Sequence, residues 1–160
     1  MFIRIRKIDI YFKFASEKNS ANVIIQKDGV NVMYQMAVYC RLSKDDGENK
    51  ISESIENQMK LIREYVGKSN DLEIADIYID DGYSGLHFDR PGFQRLLSDI
   101  EAGLVNLVLT KDLSRLGRDY IDTGYYLERY FPSRQVRYIA LADGIDTFAS
   151  SSAQNDMGPF

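Results

Sequence analysis

The sequence predicts an α/β protein, a mainly parallel open sheet with helices on both faces. Two observations predict it. Short apolar runs at 37–41, 74–79, 104–109 and 136–141 alternate with stretches whose apolar residues recur at helical spacing. The runs also give way to charged or hydroxyl-bearing residues: Arg41 and Ser43, Asp80–Ser84, Lys111–Arg118, and Asp143–Asp146. In such a fold, right-handed crossovers bring the strand C-termini to one edge, where open α/β sheets place their chemistry.

The elements follow in order. In residues 1–36, Ile3, Ile5, Ile8, Ile10, Phe12 and Phe14 largely alternate with polar or charged residues, a period-two strand signal. Val23–Ile25 and Val30–Val32 flank an Asp28-Gly29 turn signal and resemble a hairpin. These residues read as an N-terminal appendage of weak strands. The other reading is a start-site artefact, since Met33 and Met36 lie just before the first core strand. Strand 37–41 then leads into a helix starting near Ser54, a plausible N-cap, with Ile55, Met59, Ile62 and Val66 on one face. Ile74–Ile79 is the second strand. A helix opens at Pro91, places Phe93, Leu96, Leu97 and Ile100 on one side, and ends at Gly103. Leu104–Leu109 is the third strand. After a polar turn, Tyr120, Gly124, Leu127 and Phe131 mark a helix that Pro132 stops, and Val136–Leu141 closes the series.

Composition narrows the functional classes. The 160 residues suit one domain with a substantial core. No apolar run approaches the ~18 residues of a membrane span, and the charged N-terminus is not a secretory signal. A cytoplasmic protein with no membrane association is therefore expected. The single cysteine, Cys40, excludes a disulfide framework, and with one histidine no His/Cys metal cluster is expected. A net charge of −4 argues against a free-standing nucleic-acid binder, but not against a catalytic domain delivered to DNA by another part of a longer protein.

At the strand ends, Arg115 and Arg118 are spaced to share a helical face, and arginine's planar fork suits bidentate contact with phosphate. The bland alternative is a solvated turn bridged by Asp112 and Asp119. Ser43 is the nucleophile candidate if Arg41, Arg115 and Arg118 converge on it. His87, in a polar loop, is a poor base, so no histidine triad is credible. Serine attack on a phosphodiester, with arginines neutralising the phosphoryl oxygens, remains. A nucleotide-binding domain is disfavoured, because GxxxxGK[ST] and GxGxxG are both absent.

Four motifs occur in order: Tyr39-Cys40-Arg41-Leu42-Ser43; Ser54-Ile55-Glu56-Asn57-Gln58; Asp81-Gly82-Tyr83-Ser84-Gly85 with Asp89-Arg90-Pro91-Gly92-Phe93; and Leu113-Ser114-Arg115-Leu116-Gly117-Arg118-Asp119. From Ala37 onward the chain resembles the N-terminal catalytic domain of serine site-specific recombinases, the resolvase/invertase family, and most closely its large members. The resemblance implies a resolvase-like fold and Ser43 as the nucleophile that forms a 5′-phosphoserine link to DNA. It places Arg41, Arg90, Arg115 and Arg118 around the scissile phosphate. Gln58, Asp81 and Ser84 match supporting positions; an exposed helical Gln, and a simple turn for the other two, are the bland readings.

No cofactor is implied, because the covalent ester conserves the phosphodiester energy, and a metal-free arginine cage is physically adequate for the charge. The implied partners are DNA and further copies of the chain, as a homodimer and a homotetramer at recombination sites. Residues 37–160 would be the catalytic domain, cut before the long helix and the DNA-binding domains. Ser114 stands where many small members have Asp, and no clear match exists for a basic residue that some relatives carry late in the Pro91–Gly103 helix. A rival reading keeps the fold but makes it a catalytically inactive oligomerisation or regulatory module.

Overall fold

The computed structural model describes residues 26–27, 30–31, 33–42 and 48–148, with side chains at 33–42 and 55–148. Strands β1 (Gln26–Lys27) and β2 (Val30–Asn31) pair antiparallel across Asp28-Gly29. The expected first strand, Val23–Ile25, and Val32 lie outside the described residues. The strand signals at residues 3–14 fall outside the described residues, as do residues 43–47 and 149–160.

Four parallel strands follow: β3 (Tyr34–Leu42), β4 (Leu72–Asp81), β5 (Leu107–Thr110) and β6 (Arg137–Ala140). A short β7 (Ile145–Asp146) adds antiparallel to β6, a reversal that no sequence signal predicts. The sheet order is β4-β3-β5-β6-β7. The chain lays β4 on one side of β3 and every later strand on the other, so the topological switch point lies between β3 and β5. A crevice outside the strand C-termini belongs there.

Helix α1 (Glu48–Gly67) joins β3 to β4, and α2 (Pro91–Glu101) joins β4 to β5. They cover opposite faces. Met36, Val38, Cys40 and Leu42 of β3 pack with Ile55, Met59 and Ile62 of α1, whereas Ala37 and Tyr39 pack with Phe93, Leu96 and Ile100 of α2. Burial on both faces is why β3 reads as a continuous apolar run without alternation.

Several boundaries differ from the sequence reading. Helix α1 starts at Glu48, upstream of Ser54, because no helix breaker separates the two. Strand β5 starts at Leu107: Leu104 is exposed, and its N–H bonds back to Asp99 O, finishing α2 before any strand begins. The polar turn before residue 120 holds a short helix, α3 (Leu113–Leu116).

Helix α4 (Tyr120–Tyr125) runs through a π-helical turn (Tyr126–Tyr130) into α5 (Phe131–Ser133). The Phe131 N–H reaches back to Tyr126 O, the wide-turn bond. Tyr126 meets the rings of Phe88 at 4.6 Å and Phe93 at 5.0 Å, while Phe131 stacks on Tyr138. The simple helical register through Tyr120 is thereby broken, and Tyr120 faces solvent. Pro132 lies within this run, which ends one residue later, after Ser133, and not at the proline as expected.

Candidate functional site

Strand β3 ends at Leu42, and its last two residues define the site. Arg41 is fully buried. Its Nη1 donates to Tyr83 O at 3.0 Å, in the loop after β4, and its Nη2 donates to Ser114 O at 2.8 Å, in α3 after β5. Arg115 returns the contact, Nη1 donating to Arg41 O at 3.0 Å. One guanidinium thus ties together the C-terminal ends of three neighbouring strands.

Arg118 joins from the segment between α3 and α4. Its N–H donates to Gly85 O at 2.8 Å. Gly85 is wedged between arginines: a Cβ there would lie 2.9 Å from Arg118 Cγ and 3.0 Å from Arg41 Nη2. Only glycine allows that approach. Asp112 caps α3 by accepting the Arg115 N–H at 3.2 Å, and it also accepts the Ser114 hydroxyl. Asp119 caps α4 by accepting from Asp122 N at 2.8 Å. These acids shape the backbone more than they neutralise the arginines. Asp112 approaches the Arg115 Nε at 3.7 Å, and among the described residues Arg41, Arg90 and Arg118 form no ion pair.

Arg90 lies behind the turn. It is buried among the rings of Phe88, Phe93 and Tyr39, with its Cζ 4.7, 5.1 and 5.4 Å from their centroids. Its Nη2 donates to Leu116 O at 2.6 Å, and its Nη1 donates to the Tyr39 hydroxyl at 2.9 Å and lies 3.4 Å from Arg115 O. Its contacts therefore run to the backbone that carries Arg115 and Arg118.

The electrostatics follow from this crowding. Burial holds the Arg41 guanidinium below its ordinary pKa, and the like charges of Arg118, Arg90 and Arg115 push the same way. Burial also lowers Arg90, against the pull of Tyr39 and Asp80. Among the described residues, the Nε groups of Arg41, Arg90 and Arg115 are buried donors without a hydrogen-bond acceptor. Repelling cations with spare donors form a site suited to an anion with several oxygens.

The supporting positions fall as follows. Ser43 lies outside the described residues; in the chain it directly follows Leu42. Gln58 is buried on α1, on the helix face shared with Ile55 and Ile62. Asp81 is exposed at the end of β4. The exposed Ser84 accepts the Leu86 N–H at 3.1 Å and so makes the turn, while its neighbours Tyr83 and Gly85 supply the carbonyls that hold the arginines. His87 is exposed.

Sequence reasoning missed Asp80 and Tyr39. Asp80 is buried and accepts from Tyr39 Oη at 2.9 Å, Gly92 N at 2.7 Å and Phe93 N at 2.9 Å. The signal was available: period two puts Asp80 on the same side of β4 as buried Tyr78, facing α2. No cluster of metal-ligating side chains exists among the described residues, and no described helix is long and apolar enough to cross a membrane.

Comparison with known proteins bears on the fold and the family. A protein of Bacillus subtilis (strain 168) named "Putative DNA recombinase" is 34% identical over 83 residues, 52% of this chain and 16% of that protein. The matched segment thus spans about a sixth of that relative's length. The crystal structure of the N-terminal catalytic domain of TP901-1 integrase superposes with a TM-score of 0.64 at 30% identity, covering 76% of this chain and 87% of that one. A resolvase family site-specific recombinase from Streptococcus pneumoniae gives a TM-score of 0.58 at 26% identity, covering 77% and 89%. Residues 36–157 match the family model of the resolvase N-terminal domain. This chain belongs to the resolvase family and carries its N-terminal domain.

Proposed function

We propose that this chain is the catalytic domain of a serine site-specific recombinase, cutting and rejoining DNA through Ser43. The observation that carries the reading is the convergence of Arg41, Arg115 and Arg118 at the switch point, where β3 ends one residue before Ser43.

In the proposed reaction the Ser43 Oγ attacks the scissile phosphorus and loses its proton. The P–O3′ bond breaks, and the leaving 3′ oxygen takes up a proton. The products are a 5′-phosphoserine and a free 3′-hydroxyl. Rejoining reverses each step with a new 3′-hydroxyl, and because the ester retains the phosphodiester energy no external energy source enters. The transition state spreads negative charge over the phosphoryl oxygens. Arginines held in place before the substrate arrives stabilise that charge without reorganising.

Arg41, Arg115 and Arg118 are assigned to the phosphate, and Arg90 to holding the turn that bears two of them. Asp81 and Ser84 shape the loop whose backbone anchors Arg41 and Arg118, and Gln58 supports the site from α1. The catalytic domain begins with β3 at Tyr34, three residues before the expected 37, since Tyr34–Met36 pair with Leu72–Ile74 in the same sheet; the residues before it are the appendage. The partners are DNA and further copies of the chain, paired as dimers and joined as a tetramer across two sites, in the cytoplasm.

The test is covalent trapping. The intact protein, incubated with DNA nicked to prevent rejoining, is expected to form an adduct that Ser43→Ala abolishes. An adduct that persists in Ser43→Ala would overturn the assignment. Absence of any adduct with the unmodified protein would favour the inactive oligomerisation module.

A further inference from the structure

The arginine cluster is anchored from behind by a hydrogen-bonded chain that begins at a carboxylate. Asp80 Oδ2 accepts the Tyr39 hydroxyl proton at 2.9 Å. With its proton committed to Asp80, the phenol can only accept from its other side, and there it meets Arg90 Nη1 at 2.9 Å. The Arg90 Nη2 then donates to Leu116 O at 2.6 Å, in the turn bearing Arg115 and Arg118. Every member of the chain is buried: Asp80 at 2%, Tyr39 at 0% and Arg90 at 1% exposure.

We propose that Asp80 is a positioning residue for the arginine site, acting through the Tyr39 hydroxyl and Arg90 on the Leu113–Arg118 turn. The inference rests on the recombinase reading for its catalytic consequence, but the relay itself is a property of the folded chain.

Three features support it. Asp80 is fixed from a second direction by the N–H groups of Gly92 and Phe93 at the start of α2, so the carboxylate cannot rotate away from the phenol. Gly92 permits that approach, since a Cβ there would lie 2.9 Å from both Asp80 oxygens. The Tyr39 ring packs edge-on against Phe93, with centroids 5.6 Å apart, so the ring is held by packing and the hydroxyl is left for the relay. A carboxylate kept behind a neutral phenol also steadies Arg90 without pairing with the arginines assigned to the phosphate. A direct ion pair at Arg41 or Arg118 would compete with DNA. This arrangement does not.

The decisive variant is Tyr39→Phe, which keeps the ring and removes only the hydroxyl; Asp80→Asn is its partner. Two readouts separate the relay from the functional reading. In the first, the intact protein is trapped on nicked DNA at saturating concentration. Each variant is expected to slow adduct formation by about tenfold or more, as misplacing a catalytic group does, with DNA affinity unchanged. The double variant should be no slower than the slower single one, because both break one chain. Wild-type rates in Tyr39→Phe, or effects that multiply in the double variant, would overturn the proposal.

The second readout needs no DNA. In arginine-labelled protein, the Arg90 Nη protons are expected to be resolved by restricted rotation, and to collapse into an averaged signal in Tyr39→Phe. Unchanged Arg90 signals would overturn the relay even if no adduct ever formed. Collapsed signals without any adduct would uphold the relay and count against the recombinase reading alone.

Discussion

Gly85 and Cys40 show how single residues set the limits of the site. A methyl group at Gly85 would press on Arg41 and Arg118 at once. Gly85→Ala is expected to lower stability by about 1–3 kcal/mol, as overpacking does. By displacing the guanidinium groups it should also slow adduct formation by up to about 100-fold, the cost of an ångström-scale misplacement. Denaturant melts and trapping rates check the two effects separately. Cys40 sits one residue from Arg41 yet faces the other side of the sheet, its Sγ 4.0 Å from Met59 Sδ. Burial pushes its thiol up to about 12. The folded protein is therefore expected to resist iodoacetamide at pH 8 and to react once unfolded; mass spectrometry of the labelled chain decides it. The arginines were legible in the sequence because their spacing and their place after apolar runs are local signals. Asp80 was not, because Asp80 and Asp81 are chemically identical and only the side each presents to the sheet separates the buried acid from the exposed one.

Among the elements, the short α3 helix depends most on its cap. Asp112 accepts both the Arg115 N–H and the Ser114 hydroxyl. Asp112→Ala is expected to cost about 1–2 kcal/mol in urea unfolding, and to impair trapping because Arg115 rides on that turn. The junction between α2 and α5 has a pH signature. Glu101 accepts from Tyr130 Oη at 2.7 Å and Arg134 Nε at 2.9 Å, and these bonds hold its carboxyl below the ordinary 4.5. A depressed carboxyl contributes stability that is present above the unfolded value and is lost as pH falls through the folded one. Glu101→Gln is therefore expected to lower stability slightly at pH 7, where the ionised carboxylate contributes, and to flatten the loss of stability below pH 4.5, which melts across that range measure. Regular elements were legible wherever period and punctuation agreed, as in α2 between Pro91 and Gly103. The π turn was not. Nothing in Tyr126–Tyr130 marks a wide turn, which is selected by tertiary contacts of Tyr126 and Phe131.

The whole molecule sets a small cationic site in an acidic chain. With a net charge of −4, it offers no broad attraction for DNA, so binding by this domain alone is expected to be weak and to depend on few phosphate contacts. The site itself should respond to a compact anion. Pyrophosphate is expected to raise the melting temperature, by mass action on the folded state, and Arg115→Gln with Arg118→Gln to remove the effect. Thermal shift measurements at matched ionic strength test it. The parallel order and the edge that carries the chemistry were legible because hydrophobic runs and charged ends recur together; the added β7 was not, being too short to carry a pattern. The arginines are held largely by main-chain carbonyls, those of Tyr83, Ser114, Leu116, Gly85 and Arg41 itself. Main-chain acceptors have no side-chain identity. Positions such as Tyr83 and Ser114 are therefore free to drift in sequence while the grip on the guanidinium groups persists, and descendants of this chain can change the lining of the site without rebuilding the clamp beneath it.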